Sequence, residues 1–435
     1  MSTFPIHMNI PAQFTGILPE SVDVTIIGGG IIGVMTAWEL AKRGVKVLIC
    51  EKGRIAGEQS SRNWGWVRQQ GREYAELPIM METIPIWKSL SDRLRERIGF
   101  RQAGITYLAR NEASLAEFEQ WLEGAREFGV DTRMLSQRET RSLVPDSTAW
   151  IGAMTTPSDA MAEPFVTVPT LAEAAVEDGV IIREDCAVRT LDVAGGRVQG
   201  VITEKGMVRC ERVVVAAGAW SSLFLAAHGI RIPQLSVVSS VIRTEPMAEF
   251  FNAAAGDERI AFRRRADGGY TLTPWSNHDF FIGPDAFRNF VSYLPQLREE
   301  FASTRFKLAA PKNYPDAWST SRKWKADEIT PFERCRILNP EPGRKELDRV
   351  LEFFASTFPN IEKPRVKSTW AGMIDTMPDM LPIVDHAPIG GVTIATGMSG
   401  HGFGIGPGMG LVVADLVENR QPRHKLDGFA LKRFR

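Results

Sequence analysis

The sequence has 435 residues, with 52 Lys and Arg against 52 Asp and Glu. Balanced charge gives no global field for nucleic acid or an anionic membrane, and no apolar run approaches the roughly 20 residues of a membrane span. Cys50, Cys186, Cys210 and Cys335 form no CxxC pair, which argues against a disulfide framework, a zinc site or a redox disulfide, so no metal is expected. The length suits about two to three domains. The stretch Met1–Glu20 lacks the charged start and long apolar core of a signal peptide, so a cytoplasmic location is expected.

The first element is a buried strand, Val22–Ile27, running straight into Gly28-x-Gly30-x-x-Gly33. A helix is expected over Val34–Arg43, stopped at Gly44, and a second strand, Val45–Cys50, ends on Glu51. Glycines at this spacing inside a strand–helix–strand–acid unit mark a dinucleotide site. Gly28 permits the tight turn, Gly30 lets the backbone approach a pyrophosphate, and Gly33 lets the helix pack on the sheet. The helix start, with Ile31 and Ile32, offers N–H groups and partial positive charge to the diphosphate. Glu51, 18 residues past Gly33, can accept both hydroxyls of an adenosine ribose and would repel a 2′-phosphate. FAD or NAD is favoured over NADP.

The next stretch holds Lys52, Gly57, Ser60, Ser61, Arg62, Asn63, Gly65 and Trp66. A plain NAD dehydrogenase has no need of such a loop, whereas FAD must be led from pyrophosphate to ring. Small residues allow close backbone approach, and Ser61 and Arg62 can bind phosphate oxygens. Residues 78–150 read as helix-rich and amphipathic. Phe165–Glu177 reads as a helix, followed by strands at Val180–Ile182, Ala187–Arg189 and Val198–Glu204 about a Gly195-Gly196 turn, then a buried strand, Val213–Gly218.

Residues 236–370 mix strands (Ser236–Thr244, Tyr270–Pro274, a hairpin turn at Asp267-Gly268-Gly269) with charged helices such as Lys345–Phe354. Arg263–Arg265 reads as a solvated strand face, with Arg264 turned opposite to its neighbours. Trp275, Phe280, Phe281, Phe287 and Phe290 read as core in preference to a membrane or subunit contact. Gly391–Thr396 is a last buried strand, leading through Gly397–Pro407 to a helix over Gly408–Glu418. No internal repeat suggests a solenoid. The expected class is α/β plus α+β. A discontinuous Rossmann-like FAD-binding domain is assembled from residues 20–77, 151–235 and 371–435. A substrate domain on a mixed or antiparallel sheet is inserted as 78–150 and 236–370, the latter with a helical insertion.

From about residue 20 onward the chain resembles the D-amino-acid-oxidase superfamily of FAD-dependent oxidoreductases, which includes glycine and sarcosine oxidases. The resemblance rests on Lys52-Gly-Arg-Ile-Ala-Gly-Glu-Gln-Ser-Ser-Arg62, Val201–Gly206, Val213–Ser221 and Asp327–Glu333; the first looks most like the bacterial L-amino-acid deaminases. It implies that Gly28, Gly30 and Gly33 meet the pyrophosphate and Glu51 the ribose. The backbone at Val188 would meet adenine, and Ala217, Gly218 and Trp220 would follow the strand that crosses the cofactor. Gly397, Gly400, His401, Gly402, Phe403 and Gly404 would pass beneath the ring. A helix starting near Pro407 would then aim its positive end at the N1–C2=O edge. Non-covalent FAD is implied, because Ser61-Arg62-Asn63 carries no histidine and Cys335 is not in the late family position.

The implied reaction moves hydride from the α-carbon of an amine or amino acid to flavin N5, giving an imine that hydrolyses to a keto acid or aldehyde. The protein's residues then orient and desolvate. The arginine that clamps the substrate carboxylate in glycine-oxidase-like members is replaced by Ile374, followed by Asp375. The arginine of the deaminases' inserted sheet is replaced by Trp275. An amino-acid substrate therefore needs Arg68, Arg264 or Arg322. An amine without an α-carboxylate would set its cationic end against Asp375 or Trp66. His401 is expected beside the ring as a hydrogen-bonding or packing residue, with a role as base the sharper alternative. Trp64, Trp66 and Trp220 either line a pocket or pack.

O2 and a quinone stay open as electron acceptors, as do oligomerisation and peripheral membrane contact. A flavin-binding β-type subunit of an opine- or sarcosine-type complex is the alternative reading. Flavin hydroxylases end in a ribitol-binding Gly-Asp where this chain has Ala395-Thr396-Gly397, and disulfide reductases need a cysteine pair.

Overall fold

The computed structural model describes residues 4–144, 147 and 149–434. Of the stretch read above for a leader, residues 1–3 lie outside the described residues, as do 145, 146 and 148 of segment 78–150, and Arg435.

Val24–Ile27 lies inside a six-stranded sheet of order 383–386, 392–396, 212–215, 24–27, 47–50, 181–183. Neighbours are parallel except Ile383–His386, which pairs antiparallel with Val392–Thr396. Every residue of Val24–Ile27 and Val47–Cys50 is buried, as parallel strands covered on both faces require. Helices Ile31–Lys42, Leu77–Ser89, Pro164–Glu177 and Gly402–Val417 share the core on one face. The antiparallel strands Val188–Ala194, Arg197–Thr203 and Gly206–Arg209, with helix Ser221–Ala227, fill the other. Three distant stretches of sequence thus build one nucleotide fold.

The last helix starts at Gly402, not at Gly408, and carries Pro407 inside it. Glycine has poor helix propensity, which placed the expected start too late. Here packing overrides propensity. A Cβ on Gly406 would overlap Ile31, one on Gly408 would overlap the Thr83 hydroxyl, and one on Gly410 would stand 2.8 Å from Met35. The glycine run is the face on which this helix presses against its two neighbours. Ile31 likewise opens the first helix, three residues before Val34.

The second sheet runs in the order 304–307, 278–281, 235–244, 270–274, 260–264, 254–256, 105–109, 152–156, 133–136, with Val366–Thr376 paired to Leu235–Thr244. Its pairings are antiparallel except 254–256 with 105–109 and 278–281 with 304–307. Segment 78–150 therefore carries strands Ile105–Ala109 and Arg133–Ser136 besides its helices, and Gly152–Thr156, just past residue 150, pairs with both. Ile105–Ala109 is buried at every position, so it shows no alternation, and a short apolar run does not distinguish strand from helix. The hairpin at Asp267–Gly269 joins Arg264 to Tyr270 in register.

Two expectations for the insert are overturned. Arg263 and Arg265 are buried, not solvated, because Glu163 arrives beneath them, 3.0 Å from Arg263 Nη1 and 2.9 Å from Arg265 Nη2. Burial alone would raise the Glu163 carboxyl, but the two guanidinium groups outweigh it and hold it at about 2. Phe287 and Phe290 are not core: they are 66% and 51% exposed, among further exposed apolar side chains at Val291, Phe301, Leu308 and Trp318. Phe287 packs against Trp318, and Phe301 against Phe306 of the sheet's outermost strand. Phe280 and Phe281 are half-buried. Among the described residues no helix is long and apolar enough to cross a membrane.

Candidate active site

A continuous cavity of about 550 Å³ runs from the glycine turn, along residues 51–63, to the face of the second sheet. At the nucleotide end, Gly28 has φ +111°, and a Cβ there would overlap the Ala216 carbonyl; a Cβ on Gly33 would overlap the Gly28 carbonyl. The turn and the helix contact therefore require the glycines. Gly30, the residue before the first helix, offers no capping side chain, and Ile31 N donates to Ser60 Oγ at 2.9 Å. Glu51 accepts from Gly29 N at 2.8 Å and Gly53 N at 2.7 Å. Burial lifts its carboxyl to about 7.

The cavity wall brings together Gly28, Gly30, Ile31, Ile32, Glu51, Lys52, Gly57, Ser60, Arg62, Asn63, Trp66, Val188, Ala217, Gly218, Trp220, Gly400, His401, Gly402 and Phe403. Gly33, Ser61, Gly65, Gly397 and Gly404 lie behind it. Ser61 is buried off the wall and donates its hydroxyl to the Glu58 carbonyl at 3.2 Å. A Cβ on Gly65 would overlap the Ala162 carbonyl, one on Gly397 would lie 2.6 Å from Met377 Cγ, and one on Gly404 would lie 3.1 Å from the Trp66 carbonyl. These glycines shape the wall from outside. Lys52 is on the wall, yet its ammonium is committed to Glu58 at 2.7 Å and to the carbonyls of Cys335 and Arg336, both at 2.9 Å.

Two wall residues, Glu58 and Gln59, lie inside the Lys52–Arg62 motif but were not singled out from the sequence. Glu58 Oε1 collects Lys52 Nζ, Trp220 Nε1 at 3.0 Å and Leu338 N at 3.0 Å, and Gln59 Oε1 accepts from Asp375 N at 3.3 Å. The one local signal was a polar pair directly after Gly57. Arg62 donates through Nη1 to Asn339 Oδ1 at 2.8 Å and to Ala371 O at 3.0 Å. Its buried Nη2 has no partner among the described residues, and burial lowers the guanidinium to about 10.

At the other end, His401 stands just before the last helix. Its Nδ1 lies 2.8 Å from Glu76 Oε2, and its Nε2 lies 3.4 Å from Arg68 Nη2. Arg72 Nη2 donates to the His401 carbonyl at 3.1 Å, and Arg72 Nε to the Arg68 carbonyl at 3.0 Å. Burial, reinforced by Arg72 and Arg68, pushes the imidazole down to about 4 against the pull of Glu76. Burial works to raise the Glu76 carboxyl, but His401 and Arg72 outweigh it, and Glu76 is held below the usual carboxylate range. Sequence reading missed both Glu76 and Arg72, which are an (i, i+4) polar pair ahead of an apolar helix. Arg68 also donates through Nη1 to the Gln70 carbonyl and lines the cavity. Among the described residues Arg68 has no carboxylate partner within ion-pair distance, whereas Arg72 has Glu76.

The Arg68 guanidinium lies 5.9 Å over the Tyr107 ring, and three tryptophans cluster with that ring along the same wall. Trp275 packs edge-on to Tyr107 at 4.9 Å and lies 6.0 Å from both Trp64 and Trp66, which are themselves 5.3 Å apart. Trp66 Nε1 is buried without a partner among the described residues. Ile374 and Asp375 are also on the wall. Asp375 Oδ2 accepts from Gln234 Nε2 and Gly397 N, both at 3.0 Å, its Oδ1 has no partner among the described residues, and burial raises its carboxyl.

Two candidate anchors are not at the site. Arg264 faces away on its strand, donating to the Met247 carbonyl at 3.1 Å and stacking 5.0 Å over Tyr270. Arg322 is spent on Asp285 at 3.1 Å and on Asp316. Among the described residues no cluster of His, Cys, Asp or Glu could hold a metal ion.

The wall fits a dinucleotide with a ring system at its far end. Glycines allow close approach to the backbone at one end, the Glu51 carboxylate lines the wall beside them, and Arg62 Nη2, Asp375 Oδ1 and Trp66 Nε1 are buried polar atoms with valence to spare. With this geometry the chain belongs to the FAD dependent oxidoreductase (DAO) family, whose model matches residues 23–416. The L-amino acid deaminase of Proteus myxofaciens, solved in complex with anthranilate, is 30% identical, with a TM-score of 0.92 over 98% of this chain and 96% of that one. Glycine oxidase of Geobacillus kaustophilus is 25% identical over 94% of this chain and 97% of its own length. Mouse mitochondrial sarcosine dehydrogenase is 25% identical over 96% of this chain, which spans 42% of the length of that larger protein.

Proposed function

We propose that the protein oxidises an amino acid bearing an α-carboxylate and an apolar or aromatic side chain, using non-covalently held FAD. The observation that carries this reading is Arg68, a cavity-lining guanidinium with no carboxylate partner among the described residues, set over Tyr107 of an aromatic cluster on the same wall. Arg68, Arg72 and Glu76 together carry a net positive charge with His401 neutral, and a substrate carboxylate would neutralise it. Trp64, Trp66, Trp275 and Tyr107, inclined to one another, offer an aromatic wall to the side chain. The anthranilate bound by the Proteus myxofaciens relative is itself an aromatic carboxylate, which supports the same reading.

Gly28–Ile32 and Glu51 would hold the diphosphate and ribose, and Gly400–Phe403 the ring end. When bound, FAD supplies the acceptor for the hydride leaving the α-carbon, and the resulting imine hydrolyses to a keto acid. The chain's own part is to orient the substrate from its carboxylate, enclose it in aromatic surface and keep His401 uncharged beside it. A simple amine is the weaker reading. Its cation would need an ionised Asp375, yet burial raises that carboxyl and one of its oxygens is already taken twice.

Anaerobic mixing of the yellow protein with L- and D-amino acids, N-methyl amino acids and plain amines tests this. Bleaching of the flavin band by aromatic or branched amino acids is expected. Reduction by plain amines alone would overturn it. Acid precipitation should leave all flavin in the supernatant, and peroxide assays with and without a quinone identify the acceptor. A cytoplasmic location is retained, with the exposed Phe287, Phe290, Val291 and Leu308 supporting peripheral contact with a lipid surface, to be read by liposome co-sedimentation.

A further inference from the structure

Residues 330–339 come from the second piece of the substrate domain, yet they lie across the loop that walls the nucleotide end of the cavity. The contacts interlock in both directions. Lys52 Nζ donates to the carbonyls of Cys335 and Arg336, both at 2.9 Å, and Arg336 Nη1 donates back to the Lys52 carbonyl at 2.6 Å. Arg336 also grips Glu204 through both Nη atoms, at 2.8 and 2.6 Å, and Leu338 N donates to Glu58 Oε1 at 3.0 Å. The fit leaves no slack, since a Cβ on Gly53 would overlap the Arg336 carbonyl. Phe332 of the same segment packs edge-on to Trp220 at 5.7 Å and forms part of the cavity wall. The six-stranded sheet contains no strand from this segment.

We propose that residues 330–339 are a strap that gates FAD, and that Arg336 is its latch. The strap must lift from residues 52–58 for the dinucleotide to pass. Phe332 and Leu338 are buried and anchor its ends, whereas residues 333–337 between them are only partly buried and held by a small set of polar contacts, so this part opens without unfolding either sheet. A latch has a kinetic signature that a plain binding contact lacks. Weakening a latch speeds exchange in both directions, whereas removing a contact to the ligand speeds release alone.

The test uses the holoprotein. FAD release after dilution is followed by the recovery of free-flavin fluorescence, and FAD uptake by the deflavinated full chain is followed by its quenching. In Arg336→Ala, which removes three hydrogen bonds, release and uptake should each accelerate by about tenfold or more, while Kd changes much less. Glu204→Gln, which keeps the side-chain shape, should shift both rates the same way by a smaller factor and stands in if Arg336→Ala does not fold. Wild-type rates in these variants overturn the proposal. So does faster release with unchanged uptake, which would make Arg336 an ordinary binding contact. Neither readout involves substrate, so the result is independent of the amino-acid assignment.

Discussion

Arg68 and His401 meet nitrogen to nitrogen, Nη2 to Nε2, at 3.4 Å. A guanidinium can only donate, so the imidazole presents its lone pair there and carries its proton on Nδ1, facing Glu76 at 2.8 Å. Glu76 thereby fixes the tautomer that lets a cation sit against a histidine on the cavity wall. The residue order along this contact, anion to neutral ring to cation, leaves Arg68 as the charged group directed at the cavity.

Replacing Arg68 by Met should therefore lower kcat/KM for an amino-acid substrate by about a hundredfold or more, chiefly through KM. That is the scale of two hydrogen bonds to a charged partner. Arg264→Ala, altered on the far face of its strand, should stay within about twofold. Steady-state assays with an artificial electron acceptor compare the two. Equal losses would place the carboxylate elsewhere.

Glu51, lifted to about 7 by burial, is half protonated near neutrality before the cofactor binds. Ribose hydroxyls donate best to the ionised form, so binding favours loss of that proton, and FAD affinity must rise with pH through this window. Kd measured from pH 5.5 to 8.5 should fall by up to about tenfold per unit on the acid side of 7. Glu51→Gln should bind FAD more weakly at pH 8 and show no such slope. A slope that survives the substitution would remove Glu51 from the ribose.

His401 has its folded value pushed down to about 4, so the unfolded chain takes up this proton first as pH falls. Its contribution to stability is present above the ordinary histidine value of about 6.5 and is lost progressively between there and 4. His401→Gln should show a shallower fall in urea midpoint than the wild type over that range. Parallel pH profiles would mean that the imidazole is not held neutral.

Gly408→Ala should be among the most damaging small substitutions in the chain. The added methyl would overlap the Thr83 hydroxyl and lie 2.8 Å from the Ile79 carbonyl, between two packed helices. Overpacking of this kind costs about 1–3 kcal/mol, which thermal unfolding would read as a drop of several degrees. Gly44→Ala, by contrast, meets nothing within 4 Å but sits at φ +80°, so any loss there would come from backbone strain alone.

The sequence made legible whatever the backbone itself demands. Gly28 and Gly33 are needed because atoms of the main chain leave no space for a Cβ, and Glu51 follows at a fixed distance along the same unit. The strands of the nucleotide sheet announce themselves as continuous apolar runs for the same reason, being covered on both faces. Glu58, Glu76 and Gln234 could not be read this way. Each is an ordinary polar residue whose meaning comes from a partner far away in the chain: Leu338, 280 positions from Glu58; His401, 325 from Glu76; Asp375, 141 from Gln234. The arginines divide similarly. Alternation correctly set Arg264 opposite to Arg263 and Arg265, but only the arrival of Glu163 decides that the latter two are inside, and only the fold decides that Arg68, not Arg264, reaches the cavity.

The sheet that holds the glycine turn is completed by strands 383–386 and 392–396, and the helix behind the turn is backed by Gly402–Val417. During synthesis the cofactor loop is thus made first and supported last. While the ribosome is still translating the insert, that loop has no finished core beneath it and must remain unable to capture FAD. A nascent chain arrested before residue 383 should leave added FAD free, and one extended well past Val417 should bind it. Flavin loading then waits on the last helix, and any shortage of FAD in the cell would fall on a protein whose two sheets are already assembled.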